Sequence, residues 1–261
     1  MSTDHTRFDI DGVVATLTFN RPQARNAMTW AMYDALVEAC DRVDARGDVR
    51  AFVLRGAGDK AFVAGTDIGQ FTSFGSQEAA IAYERRIDSV IDRLEQVRVP
   101  TIAQVHGVAA GGGCAIAFAC DLRVCTPEAR FGVPIARTLG NCLSAANYAR
   151  LVDLIGPART KELLFTGRYL DAAEAERIGI VNRIVERPEL ERTVAELTSS
   201  IAANAPLTIR ATKEAVRRIQ VHRRLEAHAA DDLVALCYTS ADFREGVEAF
   251  LAGRPPHFQG Q

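Results

Sequence analysis

Three consecutive glycines, Gly111 to Gly113, follow a β-rich run and open onto small apolar residues in the stretch HGVAAGGGCAIAFACD, residues 106–121. Glycine weakens ordered backbone, by roughly 0.5–1 kcal/mol relative to alanine inside a helix or strand. A triplet is tolerated where the chain must turn sharply or where another group must approach bare backbone. A second loop of this kind, Ala64-Gly65-Thr66-Asp67, also follows an apolar run. Each offers backbone N–H groups free of side-chain bulk. Two such groups converging on one point form an oxyanion hole, and a helix opening at the glycines adds its partial positive charge. Taken singly, each loop reads as a tight turn packed on the core.

The surroundings are those of an α/β protein. The N-terminal FDIDGVVATLTFN holds two β-rich runs around Asp11-Gly12, a hairpin signal. A helical pattern runs from Thr29 to Arg46, with Met32, Leu36, Val37, Cys40 and Val43 on one face. Next come the apolar run AFVL (51–54), a long loop GAGDKAFVAGTDIGQF (56–71) and an amphipathic helix ending near Val97. PTIAQV (100–105) and DLRVC (121–125) read as strands on either side of the glycine cluster. Strands alternating with helices predict helix-covered sheets. From about Asn141 helical patterns dominate, interrupted by the lone strand IVNRIV and followed by three long helices up to Gly253. The expected layout is an α/β core over residues 1–200 and a helical C-terminal region over 201–261.

Composition narrows the function classes. At 261 residues, 48% hydrophobic and 25% charged, the chain reads as a soluble enzyme-sized protein. A formal net charge of −2 gives no field that would favour nucleic acid or an acidic membrane. The first residues carry no apolar run, and Val108–Cys120 is too short and glycine-rich to span a bilayer, so a cytoplasmic protein is expected. Six cysteines without a C-x-x-C pair or metal-like spacing read as buried thiols. Gly56-x-Gly58-x-x-Ala61 mimics a dinucleotide fingerprint but is followed by FVAGTDIG, which has no helical period to seat a pyrophosphate. Arg210, Lys213, Arg217 and Arg224 share a helical face and read as a solvated stripe.

Both loops together, with NRPQARNAM (20–28), KAFVAGTDI (60–68), HGVAAGGGCAIAFACDLRV (106–124), ARFGVP (129–134), TKELLFTGR (160–168), AAEAERIGIVNRIV (172–185), APLTIRATKEAV (205–216) and FREGVEAFL (243–251), resemble the enoyl-CoA hydratase/isomerase (crotonase) superfamily. The resemblance implies a spiral of ββα units with a helical C-terminal region, assembled as a homotrimer or hexamer. It implies an acyl- or enoyl-CoA substrate and no cofactor beyond the coenzyme A of that substrate. It also implies that the thioester oxygen sits between the N–H groups of Thr66 and Gly112. The adenine would contact the backbone of Ala64, Gly65, Asp67 and Ile68, and Gly111 would flank the hole. Ala24 and Arg25 would lie near the CoA phosphates, and Phe258 would match a C-terminal aromatic that reaches a CoA site.

Against this pattern the chain departs at two positions. Hydratases of the superfamily carry one glutamate in G-G-G-C-E and another after F-G-x-P. Here the residues are Ala115 and Ile135, which neither accept a proton nor orient water. The segment IARTLGNCLSAANY (135–148) should border the pocket and supplies Arg137, Thr138, Asn141, Cys142, Ser144 and Asn147, with no carboxylate. Asn141 reads as a water or carboxylate holder or as a helix N-cap, and Cys142 as a nucleophile or a packed thiol. The expectation is a hydratase-like lyase or isomerase lacking efficient two-glutamate hydration. The alternatives are an isomerase, decarboxylase or thioester hydrolase working through other groups, and a catalytically impaired CoA-binding protein.

Overall fold

The computed structural model describes residues 5–69, 76–226 and 228–261. The Asp11-Gly12 hairpin forms as expected: β1 (Thr6–Asp11) pairs antiparallel with β2 (Val14–Phe19). Helix α1 (Trp30–Ala45) begins at Thr29, whose hydroxyl accepts the Met32 amide as an N-cap. It buries Met32, Tyr33, Leu36, Cys40 and Val43, the i, i+3, i+4 stripe read from the sequence.

Three successive segments then repeat one plan. A long strand in the first sheet is followed by a short strand in a second sheet, and then by a helix. The first unit is β3 (Ala51–Gly56), β4 (Ala61–Val63) and α2 (Gln77–Glu95). The second is β5 (Thr101–Val105), β6 (Val108–Ala110) and α3 (Gly112–Ala119). The third is β7 (Leu122–Cys125), β8 (Arg130–Gly132) and the short α4 (Ile135–Thr138) with α5 (Ala145–Thr166). Then β9 (Tyr169–Asp171), α6 (Ala172–Arg177) and β10 (Arg183–Ile184) complete two sheets, ordered β1-β2-β3-β5-β7-β10 and β4-β6-β8-β9. β2, β3, β5, β7 and β10 run parallel. Helices cover such strands on both faces, which is why AFVL reads as an unbroken apolar run and why residues 51–54 and 101–105 are buried throughout. This is the ββα spiral expected from the resemblance.

Differences from the sequence reading are local. The long loop after AFVL contains the strand β4, three residues held by parallel pairing to β6; Gln70 and Phe71 at its end lie outside the described residues. Gly58 therefore leads into a strand, and no helix N-terminus follows the dinucleotide-like motif. The helical patterns SAANYARLVDLIG and ARTKELLFTG, by contrast, form as read: two helical stretches of α5 meet at Gly156, whose φ of 76° is not helical, ahead of Pro157. Beyond β10, four helices are described rather than three: α7 (Leu190–Ala203), α8 (Pro206–His222), α9 (Asp231–Tyr238) and α10 (Ala241–Leu251). Of the basic stripe on α8 and just beyond, Lys213 pairs with Asp121 (2.7 Å), Arg217 with Glu214 (2.9 Å) and Arg224 with Glu95 (2.7 Å). Arg150 of α5 also pairs with Glu95, at 3.0 Å, so α2 is pinned to α5 and to the end of α8. Among the described residues no helix is long and apolar enough to cross a membrane.

Candidate active site

Two backbone segments build the floor of one cavity. β4 delivers Ala64 to Thr66, and β6 delivers Gly111 and Gly112, the first turn of α3. The parallel bridge between Met28 and Thr66 fixes the first loop: the Met28 amide donates to the Gly65 carbonyl at 2.8 Å, and the Asp67 amide donates to the Met28 carbonyl at 2.9 Å. That pattern turns the Thr66 amide away from Met28. Gly112 is the first residue of α3, so its amide has no intrahelical acceptor. Neither amide donates to any described residue. An ideal Cβ on Gly112 would lie 3.8 Å from the Thr66 nitrogen, so the two residues are neighbours on the cavity floor.

The helix supplying Gly112 is fixed at both ends. Gly111 takes a positive φ of 48° and donates its N–H to the Gly132 carbonyl at 2.9 Å. At the other end the buried Arg123 guanidinium donates to the carbonyls of Ala117 and Cys120. Tyr33 from α1 and Tyr83 from α2 bracket the Thr66 hydroxyl at 2.8 and 3.4 Å.

The cavity has a volume of about 190 Å³. Of the residues singled out by sequence, it brings together Ala64, Gly65, Thr66, Ile68, Gly111, Gly112, Ala115 and Ile135, together with Thr138, Asn141, Cys142 and Asn147. Ala24, Arg25, Asp67 and Phe258 lie outside this lining. Arg25 sits in a left-handed turn (φ 50°) and offers its carbonyl to the Ala64 amide at 3.0 Å. Asp67 pairs with Arg21 at 2.6 Å and holds the loop, and Phe258 reaches the neighbourhood of Gly140. Arg137 and Ser144 are also outside the lining.

Two readings of the 135–148 segment are corrected. The N-cap of α5 is Ser144, whose hydroxyl accepts the Asn147 amide at 3.2 Å, and not Asn141. Asn141 instead donates to the Tyr238 hydroxyl at 3.0 Å. Cys142 is no poised nucleophile: a hydrogen bond with Cys237, together with burial, pushes its thiol up and leaves thiolate scarce.

The residue that sequence reasoning missed is Glu84. It lies on α2, buried, in the wall of the same cavity. Tyr238 of α9 donates its hydroxyl to Oε1, and the Ser144 amide donates to Oε2 at 3.1 Å. No Arg, Lys or His is among the residues lining the cavity. Burial, reinforced by nearby Asp88 and only partly offset by Tyr238 and Ser144, pushes the Glu84 carboxyl from its ordinary 4.5 up to about 8. Tyr83, Ile87, Tyr169 and Phe250 also line the wall and were equally unforeseen.

Stability should report this ionisation. Glu84 binds its proton more tightly folded than unfolded, so its contribution is intact below pH 4.5 and is lost as pH rises through the window to about 8. The loss is at most about 1.4 kcal/mol for each pH unit of that window. Glu84→Gln is expected to gain on the parent protein steadily between pH 5 and pH 8 in thermal unfolding. Parallel curves for the two proteins would mean that Glu84 ionises as it does in water.

Residues 9–261 match the Enoyl-CoA hydratase/isomerase family. The chain is similar to the short-chain-enoyl-CoA hydratase of Clostridium acetobutylicum, 34% identical over 259 residues, covering 97% of each chain. It is 36% identical over 253 residues to the crotonyl-CoA hydratase of Syntrophomonas wolfei, covering 94% of each. Among solved structures, methylmalonyl-CoA decarboxylase in complex with 2-nitronate-propionyl-CoA superposes with a TM-score of 0.91 at 27% identity, covering 100% of both chains. An enoyl-CoA hydratase/carnithine racemase from Magnetospirillum magneticum gives 0.81 at 33% identity, covering 100% of this chain and 97% of the other.

Proposed function

The chain belongs to the enoyl-CoA hydratase/isomerase family, and on that premise we propose that it is an enzyme acting on an acyl- or enoyl-CoA thioester. The thioester oxygen lies between the N–H groups of Thr66 and Gly112, and negative charge building there as an enolate or tetrahedral adduct is stabilised by both. Each such donor is worth about 3 kcal/mol. The observation that carries this reading is that Thr66 and Gly112 are neighbours on the cavity floor, with amides that donate to no described residue, one of them at a helix N-terminus.

The walls select the substrate. Ile68, Ile87, Ala115, Ile135, Leu139 and Phe250 give an apolar lining, suited to a short neutral acyl chain. Ala115 and Ile135 both face this cavity, so efficient two-glutamate hydration is not its chemistry. Double-bond isomerisation fits better, because it needs an enolate site and a single proton carrier. Decarboxylation, the activity in the name of the structural relative with the TM-score of 0.91, needs the same enolate site and is the second reading. The assembly is a homotrimer or hexamer: α8 buries none of its side chains and exposes Leu207, Val216 and Ile219, an apolar face suited to a symmetric neighbour.

Calorimetry tests the ligand. Butyryl-CoA is expected to bind more tightly than free CoA, because only the thioester reaches the two amides. Equal affinities would remove the thioester from the site.

A further inference from the structure

We propose that Glu84 is the proton carrier of this cavity, moving a proton to and from the carbon next to the thioester carbonyl. The inference rests on the reading of the cavity as a CoA-thioester site.

Three features of the geometry argue for it. Glu84 lines the same cavity as Thr66 and Gly112, so a thioester held at the amides presents its acyl chain to a wall that includes this carboxyl group. Each carboxylate oxygen keeps acceptor capacity after the bonds from Tyr238 and the Ser144 amide, since a carboxylate has about four acceptor positions. The group is also costly: a buried carboxyl without a cationic partner destabilises a fold, and a packed apolar residue at this position of the α2 stripe would not.

The chemistry balances within the site. In one direction the Glu84 O–H bond breaks and a C–H bond forms at the enolate carbon. The thioester C=O re-forms, and the negative charge passes from the oxygen at Thr66 and Gly112 to the carboxylate. Tyr238 and the Ser144 amide then stabilise that carboxylate by hydrogen bonds. The reverse step breaks the C–H bond and returns the charge to the oxygen. Asn141 is a positioning residue, since its bond to the Tyr238 hydroxyl leaves that O–H directed at Glu84.

Cys237 of α9, held down to about 7 by its hydrogen bond with Cys142, titrates in the same range as Glu84, so the pH profile is read in a Cys237→Ser background. The titratable groups facing Glu84 are Asp88 on its own helix, Tyr33 from α1, its neighbour Tyr83, Tyr238 from α9, Cys142 before α5 and Tyr148 within it. Burial raises all four tyrosines, and burial with the Cys237 contact raises Cys142, so that these ionise above the range of Glu84. The Asp88 carboxyl is raised by burial as well, but it is held down by Ser144 and Arg150.

The test is deuterium uptake from D2O into the α-carbon of butyryl-CoA, read by mass spectrometry of the recovered thioester. The unmodified protein is expected to catalyse exchange with a rate that rises with pH and levels off near about 8. Glu84→Gln is expected to lose roughly 100-fold or more in exchange while still binding butyryl-CoA. Tyr238→Phe removes a donor to the carboxylate and is expected to keep exchange but move its inflection to higher pH. Exchange in Glu84→Gln at the parent rate would overturn the proposal. So would a parent protein that binds butyryl-CoA without exchanging it, a result that leaves the thioester site standing. Failure to bind butyryl-CoA at all would overturn the site and this inference together. Should Glu84→Gln fail to fold, an unmoved inflection in Tyr238→Phe overturns the inference by itself.

Discussion

Gly112→Val is expected to fold and to lose about 10²–10³-fold in turnover of any acyl-CoA that passes through an enolate. A Cβ at Gly112 would stand 2.5 Å from the Tyr33 hydroxyl and 3.0 Å from the Thr66 hydroxyl. It would therefore break the 2.8 Å bond between those two side chains before it met anything else. The loop that aims the Thr66 amide is then displaced, and the larger side chain also projects where the thioester oxygen belongs. A double variant separates the two effects. Gly112→Ala with Tyr33→Phe removes the obstructing hydroxyl and should recover part of what Gly112→Ala alone loses, a coupling visible in a mutant cycle. The neighbouring glycine answers differently. A Cβ at Gly113 would lie 2.0 Å from the Val63 carbonyl oxygen, which is backbone and cannot move aside. Gly113→Ala should cost about 1–3 kcal/mol or prevent folding. Normal kinetics in folded Gly112→Val would place the oxyanion elsewhere.

Hydration of crotonyl-CoA by the unmodified protein should be at least 10²-fold slower than the ~10 per second typical of enzymes. Adding water across the double bond asks for one group to hold and deprotonate the water and another to deliver a proton to the α-carbon. Ala115 and Ile135 supply neither, and Glu84 is one group. Ala115→Glu with Ile135→Glu would place two further carboxyls in a cavity that already buries one without a cation, and mutual repulsion would hold them protonated. Recovery by that variant should therefore be small. Loss of the crotonyl-CoA double bond at ~10 per second or faster by the parent protein would contradict the account of Ala115 and Ile135.

Much of this architecture was legible in the chain. The 11–12 turn, the Thr29 cap, the apolar parallel strands and the glycine-led helix α3 each have a local cause that the sequence displays. The short strands β4, β6, β8 and β9 escaped because three residues are held by pairing to a distant neighbour, with little periodicity of their own. The cavity floor was equally readable, since bare backbone announces itself as glycine. Its far wall was not. Glu84 and Tyr238 are 154 positions apart and meet only because α9 packs on α2. A trace of Glu84 was nevertheless present. It lies in the α2 stripe with Ala80, Tyr83, Ile87, Ile91 and Leu94, the one carboxylate among the buried residues of that helix. A charged residue at such a position is either partnered or functional, and sequence alone does not say which.

The central claim is that a thioester oxygen accepts hydrogen bonds from the Thr66 and Gly112 amides, and infrared spectroscopy observes that oxygen directly. Butyryl-CoA labelled with carbon-13 at the thioester carbonyl gives an isotope-edited difference spectrum in which only that C=O stretch moves. Two donors, one of them at a helix N-terminus, polarise the bond and lengthen it. In the saturated complex the band is expected at lower wavenumber than in water, and in Gly112→Val it should return towards the solution value. A carbonyl band that stays at its solution position in the fully bound complex would contradict the account.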